Sequence, residues 1–210
     1  MRKIFSVILL VLCAALTASA QSGKKYALYG VAFYNLENLF DTVHDYGKND
    51  YEFLPDGKNK WGKMKYEAKL KNMSKVLSEL CTDKHPLGAA VMGVSEIENR
   101  KVLEDLVKEP ALRDRNLQIV HYDGPDRRGV ECAVLYNPRL FKLESSMLVP
   151  YFYLDKDQPE VDLGFSVKDG KIVPDSVLRG DTTYITRGFL VATGRLGGER
   201  VHVIVNHWPS

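Results

Sequence analysis

Five polar side chains stand where apolar runs give out, and their types suit phosphate chemistry. Asn35 and Glu37 follow GVAFY at 30–34. Glu96 follows LGAAVMGV at 87–94, with Ser95 between. Asn206 and His207 follow Val201, Val203 and Val205, which alternate along one run. A sixth, Arg128, lies beside Arg127 in the Gly/Pro stretch DGPDRRG at 123–129. Side chains delivered by the ends of buried strands sit on a rigid scaffold, a common way to hold a site.

Each of these residues has a bland reading and a chemical one. Asn35 is a turn residue in an Asn-rich bend, or the first corner of a site. A carboxylate such as Glu96, where a core strand surfaces, is costly if left unpaired. It is therefore salt-bridged or solvated, or it holds a cation. Mg²⁺ suits the second case, because it takes one or two carboxylates and completes its shell with water and substrate phosphate. His207 is structural, or it donates a hydrogen bond or a proton at neutral pH. Arg127 and Arg128 form surface salt bridges, or bind phosphate with two parallel hydrogen bonds. Competing chemistries lack their motifs: the chain has no G-x-S-x-G, P-loop, H-E-x-x-H or paired C-x-x-C.

The elements that must position these residues follow from periodicity. Residues 30–34 alternate as a strand. A long polar loop, Asp41 to Lys60, follows, and its length hints at a role over a site. Lys63 to Leu80 reads as an amphipathic helix on Tyr66, Leu70, Met73, Val76, Leu77 and Leu80. Its seven nearby lysines, from Lys58 to Lys75, make a solvated face or a basic patch. Leu87 to Val94 is a continuous apolar run, as expected of a central strand buried on both faces. Residues 99–109 read as a second helix, stopped at Pro110. Strands are expected at Leu117–Tyr122, Val130–Tyr136 and Phe141–Val149, and Asp155 to Lys171 as irregular. Tyr184–Arg195 and Arg200–Trp208 form a hairpin about Gly197-Gly198. That order describes one domain with a mixed sheet core flanked by helices.

Composition bounds the rest. The chain has 210 residues, 45% hydrophobic and 27% charged, ample for one domain with a sizeable core. Residues 1–20 read as a signal peptide: Arg2 and Lys3, an apolar run at 4–16, and the small-residue site Ala18-Ser19-Ala20. The run is short for a membrane span. Export to a periplasm or the outside is expected, with residues 21–210 as the mature domain. Cleavage removes two of the 29 basic residues and none of the 27 acidic ones, which leaves the charges balanced. That weakens any claim of general nucleic-acid affinity. Of the two cysteines that remain, Cys132 falls in a strand pattern and Cys81 at a helix end, so two unpaired thiols are expected.

Taken together, FYNLENLFD at 33–41, VMGVSEIEN at 91–99, YDGPDRRGVECAVLYNP at 122–138 and VNHWPS at 205–210 resemble the endonuclease/exonuclease/phosphatase (DNase I-like) family, in the family's order. The nearest likeness is to exported bacterial members of unassigned substrate. The resemblance implies an α+β, four-layer sandwich of two mixed β-sheets flanked by helices. It implies a hydrolase of phosphodiester or phosphomonoester bonds using Mg²⁺ or Mn²⁺. By position, Glu96 matches the metal-binding glutamate, Asn35 the asparagine beside metal and phosphate, and His207 the histidine that hydrogen-bonds the scissile phosphate. Glu37 stands where some relatives carry a second acidic residue. Asn206 and Arg128 are expected on the substrate side.

The family's Gly-Asp-Phe-Asn and Ser-Asp-His motifs are not found after His207, and Gly180-Asp181-Thr182-Thr183 is out of order. These motifs supply the pair that positions the nucleophile and an aspartate-oriented histidine. The chain thus resembles the N-terminal part of a family member, C-terminally incomplete. Two functions follow as expectations: a metal-dependent phosphoesterase impaired in this chain, or a non-catalytic fragment or binding module. The substrate class stays open among nucleic acid, nucleotide, phospholipid and sugar phosphate. No obligate protein partner is evident.

Overall fold

The computed structural model describes residues 26–124, 126–153, 165–168, 171–174 and 184–208. The signal peptide over 1–20 and the stretch Gly180–Thr183 lie outside the described residues. Nine strands and two α-helices are described: β1 (Gly30–Leu39), α1 (Lys63–Glu79), β2 (Ala89–Ile97), α2 (Arg100–Lys108), β3 (Gln118–His121), β4 (Glu131–Tyr136), β5 (Phe141–Tyr153), β6 (Phe165–Lys168), β7 (Lys171–Pro174), β8 (Tyr184–Leu196) and β9 (Glu199–Val205).

Two sheets carry the architecture. The first runs β1-β2-β4-β3, with β1 and β2 parallel and the other pairs antiparallel. The second runs β5-β8-β9, all antiparallel. β2 is buried along almost its whole length, as its unbroken apolar run requires. Its two faces serve two cores. Met92, Val94 and Ile97 pack with Tyr66, Leu70 and Leu77 of α1 and with Val102, Leu103 and Leu106 of α2. Ala90 and Val91 pack with Phe141, Leu190, Ala192 and Val205 of the second sheet. The result is the expected α+β sandwich of two sheets. Among the described residues, the helices cover only the first sheet.

Gly93 lets the sheets approach. A Cβ there would lie 2.8 Å from Val205 Cγ2 and 3.2 Å from Phe33 Cδ2. The inter-sheet core therefore depends on the absence of a side chain at the middle of β2.

Four readings are corrected. β1 does not stop before Asn35 but continues to Leu39, because Leu36 and Leu39 are fully buried and pairing resumes at Leu39 with Ile97. β2 likewise runs through Ser95-Glu96-Ile97. In the stretch expected to be irregular, Asp155 to Lys171, Phe165–Lys168 is instead β6, which pairs antiparallel with β7 (Lys171–Pro174). Asp169-Gly170, between FSVK and KIVP, is the turn signal that finds it. The last strand ends earlier than expected, at Val205, so Asn206 and His207 follow it. Cys81 and Cys132 are unpaired, as expected. Among the described residues no helix is long and apolar enough to cross a membrane.

Candidate phosphate and metal site

Two adjacent strands break register at the same level. β1 is irregular between Asn35 and Leu39, and β2 between Ser95 and Ile97. Glu37, Asn38 and Glu96 have φ of 53°, 62° and 58° there. Non-glycine residues in the left-handed region are uncommon, and bulges of this kind re-aim side chains. Asn35 Oδ1 accepts the Glu37 N–H at 2.7 Å, a local bond that fixes the amide. Its Nδ2 then donates to Glu96 Oε1 at 3.0 Å.

His207 completes the cluster from the segment that follows β9. Its Nε2 lies 3.2 Å from the same Glu96 oxygen. The side chains of His207 and Glu96 are 21% and 19% exposed, so the cluster is shielded yet open to a small ligand. Burial, reinforced by the Arg187 guanidinium, pushes the His207 pKa below the usual histidine value, against the pull of Glu96.

The other expected residues are placed differently. Glu37 is exposed, and its contact is through the backbone: its carbonyl accepts from Lys69 Nζ at 2.6 Å. Arg128 is exposed; its backbone N–H donates to Asp126 Oδ1 at 2.8 Å, and its Nε lies 3.8 Å from the same oxygen. Asn206 is half-buried beside His207. The structure thus brings Asn35, Glu96 and His207 together and leaves Glu37, Arg128 and Asn206 around them.

The site roles of four residues, Arg187, Asp126, Lys69 and Glu98, escaped the sequence reading. Arg187 on β8 donates from a guanidinium NH to His207 Nδ1, and its Nε lies 3.2 Å from Asp126 Oδ2. Both partners of that ion pair are 9% exposed. The signal was there: Arg187 is the one charge in the run YITRGFLVAT. Lys69 is half-buried while Lys63, Lys65, Lys71 and Lys75 are exposed, so the basic helix face is solvated apart from one lysine that reaches the site. Glu98, 4% exposed, accepts the Asp41 N–H at 2.7 Å and ties the ends of β1 and β2. Its pKa is pushed up to about 8, chiefly by burial.

The long loop after β1 supports the site from the side. Asn49 N–H donates to Arg127 O at 2.6 Å, and Lys48 Nζ donates to Gly124 O and Asp126 O, each at 2.9 Å. The loop therefore braces the segment that presents Asp126 to Arg187.

The donor set fits a Mg²⁺-type ion held by few protein ligands. Glu96 Oε1 is occupied by Asn35 and His207, while Oε2 takes no hydrogen bond from a described residue. Mg²⁺ keeps much of its water and needs only one or two carboxylates when substrate phosphate is present. Among the described residues, no three His, Cys, Asp or Glu side chains converge into an all-protein cage.

A family model described as Endonuclease/Exonuclease/phosphatase family matches residues 30–162, and the chain belongs to that family. No curated protein matches the chain. The matched span contains Asn35 and Glu96; His207 lies beyond it and is joined to them by geometry.

Proposed function

We propose that this protein is an exported, divalent-metal-dependent phosphoesterase whose phosphate site is Asn35, Glu96 and His207. The observation that carries the reading is the shared Glu96 oxygen, met by an amide from β1 and by an imidazole from the segment that follows β9. Glu96 would hold Mg²⁺ or Mn²⁺. When bound, such an ion neutralises phosphate charge and polarises the phosphorus–oxygen bonds.

The chain's own residues would do the rest. Asn35 Nδ2 and His207 Nε2 are donors at the mouth of the site. Aimed at a phosphate, they stabilise charge that develops on its oxygens. Arg128 and Asn206, at the rim, would meet the remainder of the substrate. Substrates are phosphate esters, and balanced charge in residues 21–210 leans away from a dedicated DNase.

In-line attack by water also needs a base. His207 Nδ1 is taken by Arg187 and is not free to serve as one. Residues 21–210 by themselves should therefore hydrolyse slowly. The test is release of p-nitrophenol from bis-p-nitrophenyl phosphate, with Mg²⁺ and with chelator. Weak, chelator-sensitive turnover lost in Glu96→Gln is expected. Robust turnover that survives Glu96→Gln would place the site elsewhere.

A second reading, a non-catalytic fragment or binding module, has its own observation. On β1, Val31 and Phe33 are paired with Val91 and Gly93 and share their inward face, yet they are 57% and 55% exposed. Among the described residues β9 pairs only with β8. An open apolar face beside an unpaired edge favours association. Self-association of residues 21–210 in sedimentation would favour this reading; a monomer with a cooperative, reversible melt would count against it.

A further inference from the structure

Among the described residues Arg187 makes no hydrogen bond or ion pair with Asn35 or Glu96, yet it is bonded to the third member of the cluster. We propose that Arg187, anchored by Asp126, is a positioning residue that fixes the His207 ring as an Nε2–H donor and keeps it from acting as a base. The inference rests on the phosphoesterase reading only for its consequence; the arrangement itself is a matter of ring chemistry.

A guanidinium carries five N–H donors and no acceptor. His207 Nδ1, which meets it, must therefore accept. An imidazole has one such lone pair when neutral and none when protonated. The single proton of the ring then sits on Nε2, the nitrogen 3.2 Å from Glu96 Oε1, where a carboxylate accepts it. Each contact demands the same tautomer. Nδ1 has no lone pair left to take a proton from water, and Nε2 already holds one.

Arg187 can impose this only if it is itself held. Its Nε lies 3.2 Å from Asp126 Oδ2, and both side chains are 9% exposed. Asp126 Oδ1 is engaged in turn by the Arg128 N–H at 2.8 Å. The Asp126 carbonyl accepts from Lys48 Nζ at 2.9 Å. The guanidinium thus has a fixed carboxylate on one side and the imidazole on the other. The pairing with Asp126 is electrostatic, because Arg187 Nε makes no hydrogen bond among the described residues, and it holds the planar group by charge. Lysine could donate to His207 but lacks the planar guanidinium that also lies against Asp126.

The consequence is a division of labour. His207 can give its Nε2 hydrogen bond to a phosphate oxygen only by turning it from Glu96 Oε1, and it cannot start the reaction by removing a proton. The nucleophile's base must then be a different group.

The test reads the ring directly. The full chain is labelled with ¹⁵N-histidine, and His207 is assigned among the five histidines by its loss in His207→Gln. Long-range nitrogen–proton spectra at neutral pH, without metal or substrate, report which nitrogen carries hydrogen. The wild type should show a protonated Nε2 and a bare, hydrogen-bonded Nδ1. Arg187→Met should move the Nδ1 signal to that of a free or protonated nitrogen, and Arg187→Lys should return part of the shift. In steady-state assays Arg187→Met should lower kcat by about 10- to 100-fold with little change in KM, the usual cost of losing an orienting partner. A wild-type Nδ1 that carries a proton would overturn the proposal. So would an unchanged Nδ1 signal in folded Arg187→Met. If Arg187→Met does not fold, Asp126→Asn releases the anchor and must shift the same signal. A bare Nδ1 in a protein with no phosphoesterase activity would sink the proposed function and leave this arrangement standing.

Discussion

Asn35 and Glu96 are 61 positions apart in sequence and 3.0 Å apart in space, joined by the amide of one strand and the carboxylate of its parallel neighbour. The bond exists because both strands break register at that level. Asn35→Ala should leave Glu96 Oε1 with His207 as its only described partner. Loss of an orienting partner typically costs about 10- to 100-fold in metal affinity. Titration of the variant with Mn²⁺ should show that loss, while urea denaturation should show a stability change of only about 1 kcal/mol.

Gly93 supplies a prediction about the fold alone. A methyl at this position would meet Val205 and Phe33, which come from opposite sheets. Gly93→Ala should therefore push the sheets apart and cost about 1–3 kcal/mol, the usual penalty for overpacking. Urea denaturation measures it. An unchanged midpoint would mean the inter-sheet core is looser than its distances state.

The cores and the helices were legible because they rest on periodicity. LGAAVMGV announced a strand buried on both sides, and β2 is that strand. Tyr66, Leu70 and Leu77 announced the buried face of α1. The sequence also marked Asn35, Glu96 and His207 as residues at strand ends. It could not show that Asn35 and Glu96 sit inside strands at paired bulges, because a left-handed residue such as Glu96 leaves no mark in a pattern of apolar positions. Nor could it show Arg187 reaching His207 or Lys69 leaving its solvated row, since both depend on long side chains crossing between elements. The pairing of β6 with β7 was not legible for a simpler reason: the Asp-Gly pair between FSVK and KIVP falls inside a polar stretch.

Glu131 gives a pH dependence of stability. It is 4% exposed, and its pKa is pushed up to about 7, chiefly by burial, despite Lys48 Nζ at 3.5 Å. Its ordinary value is 4.5. The folded state therefore binds this proton more tightly than the unfolded state. The stabilising contribution is complete below about pH 4.5 and is lost as pH rises to about 7, and a shift of that size corresponds to roughly 3 kcal/mol. Glu131→Gln should flatten the stability profile across that window, measured by urea denaturation at a series of pH values. A parallel profile in the variant would assign the slope to other groups.

The two thiols should behave differently from a bridged pair. Burial pushes the Cys132 pKa up to about 12, and the thiolate is the reactive form. In the native protein Cys132 should resist alkylation, and reductant should leave the melting temperature unchanged. Mass spectrometry after iodoacetamide checks the first point and a thermal melt with dithiothreitol the second.

The central claim is that Glu96 is the cation-holding corner of a phosphate site. Calorimetric titration of residues 21–210 with MnCl₂ tests it without needing turnover. Glu96 sits under two donors with one oxygen free of described partners, so the wild type should bind one ion, and Glu96→Gln should lose that binding while keeping its melting behaviour. Equal Mn²⁺ binding by the wild type and a folded Glu96→Gln would contradict the account.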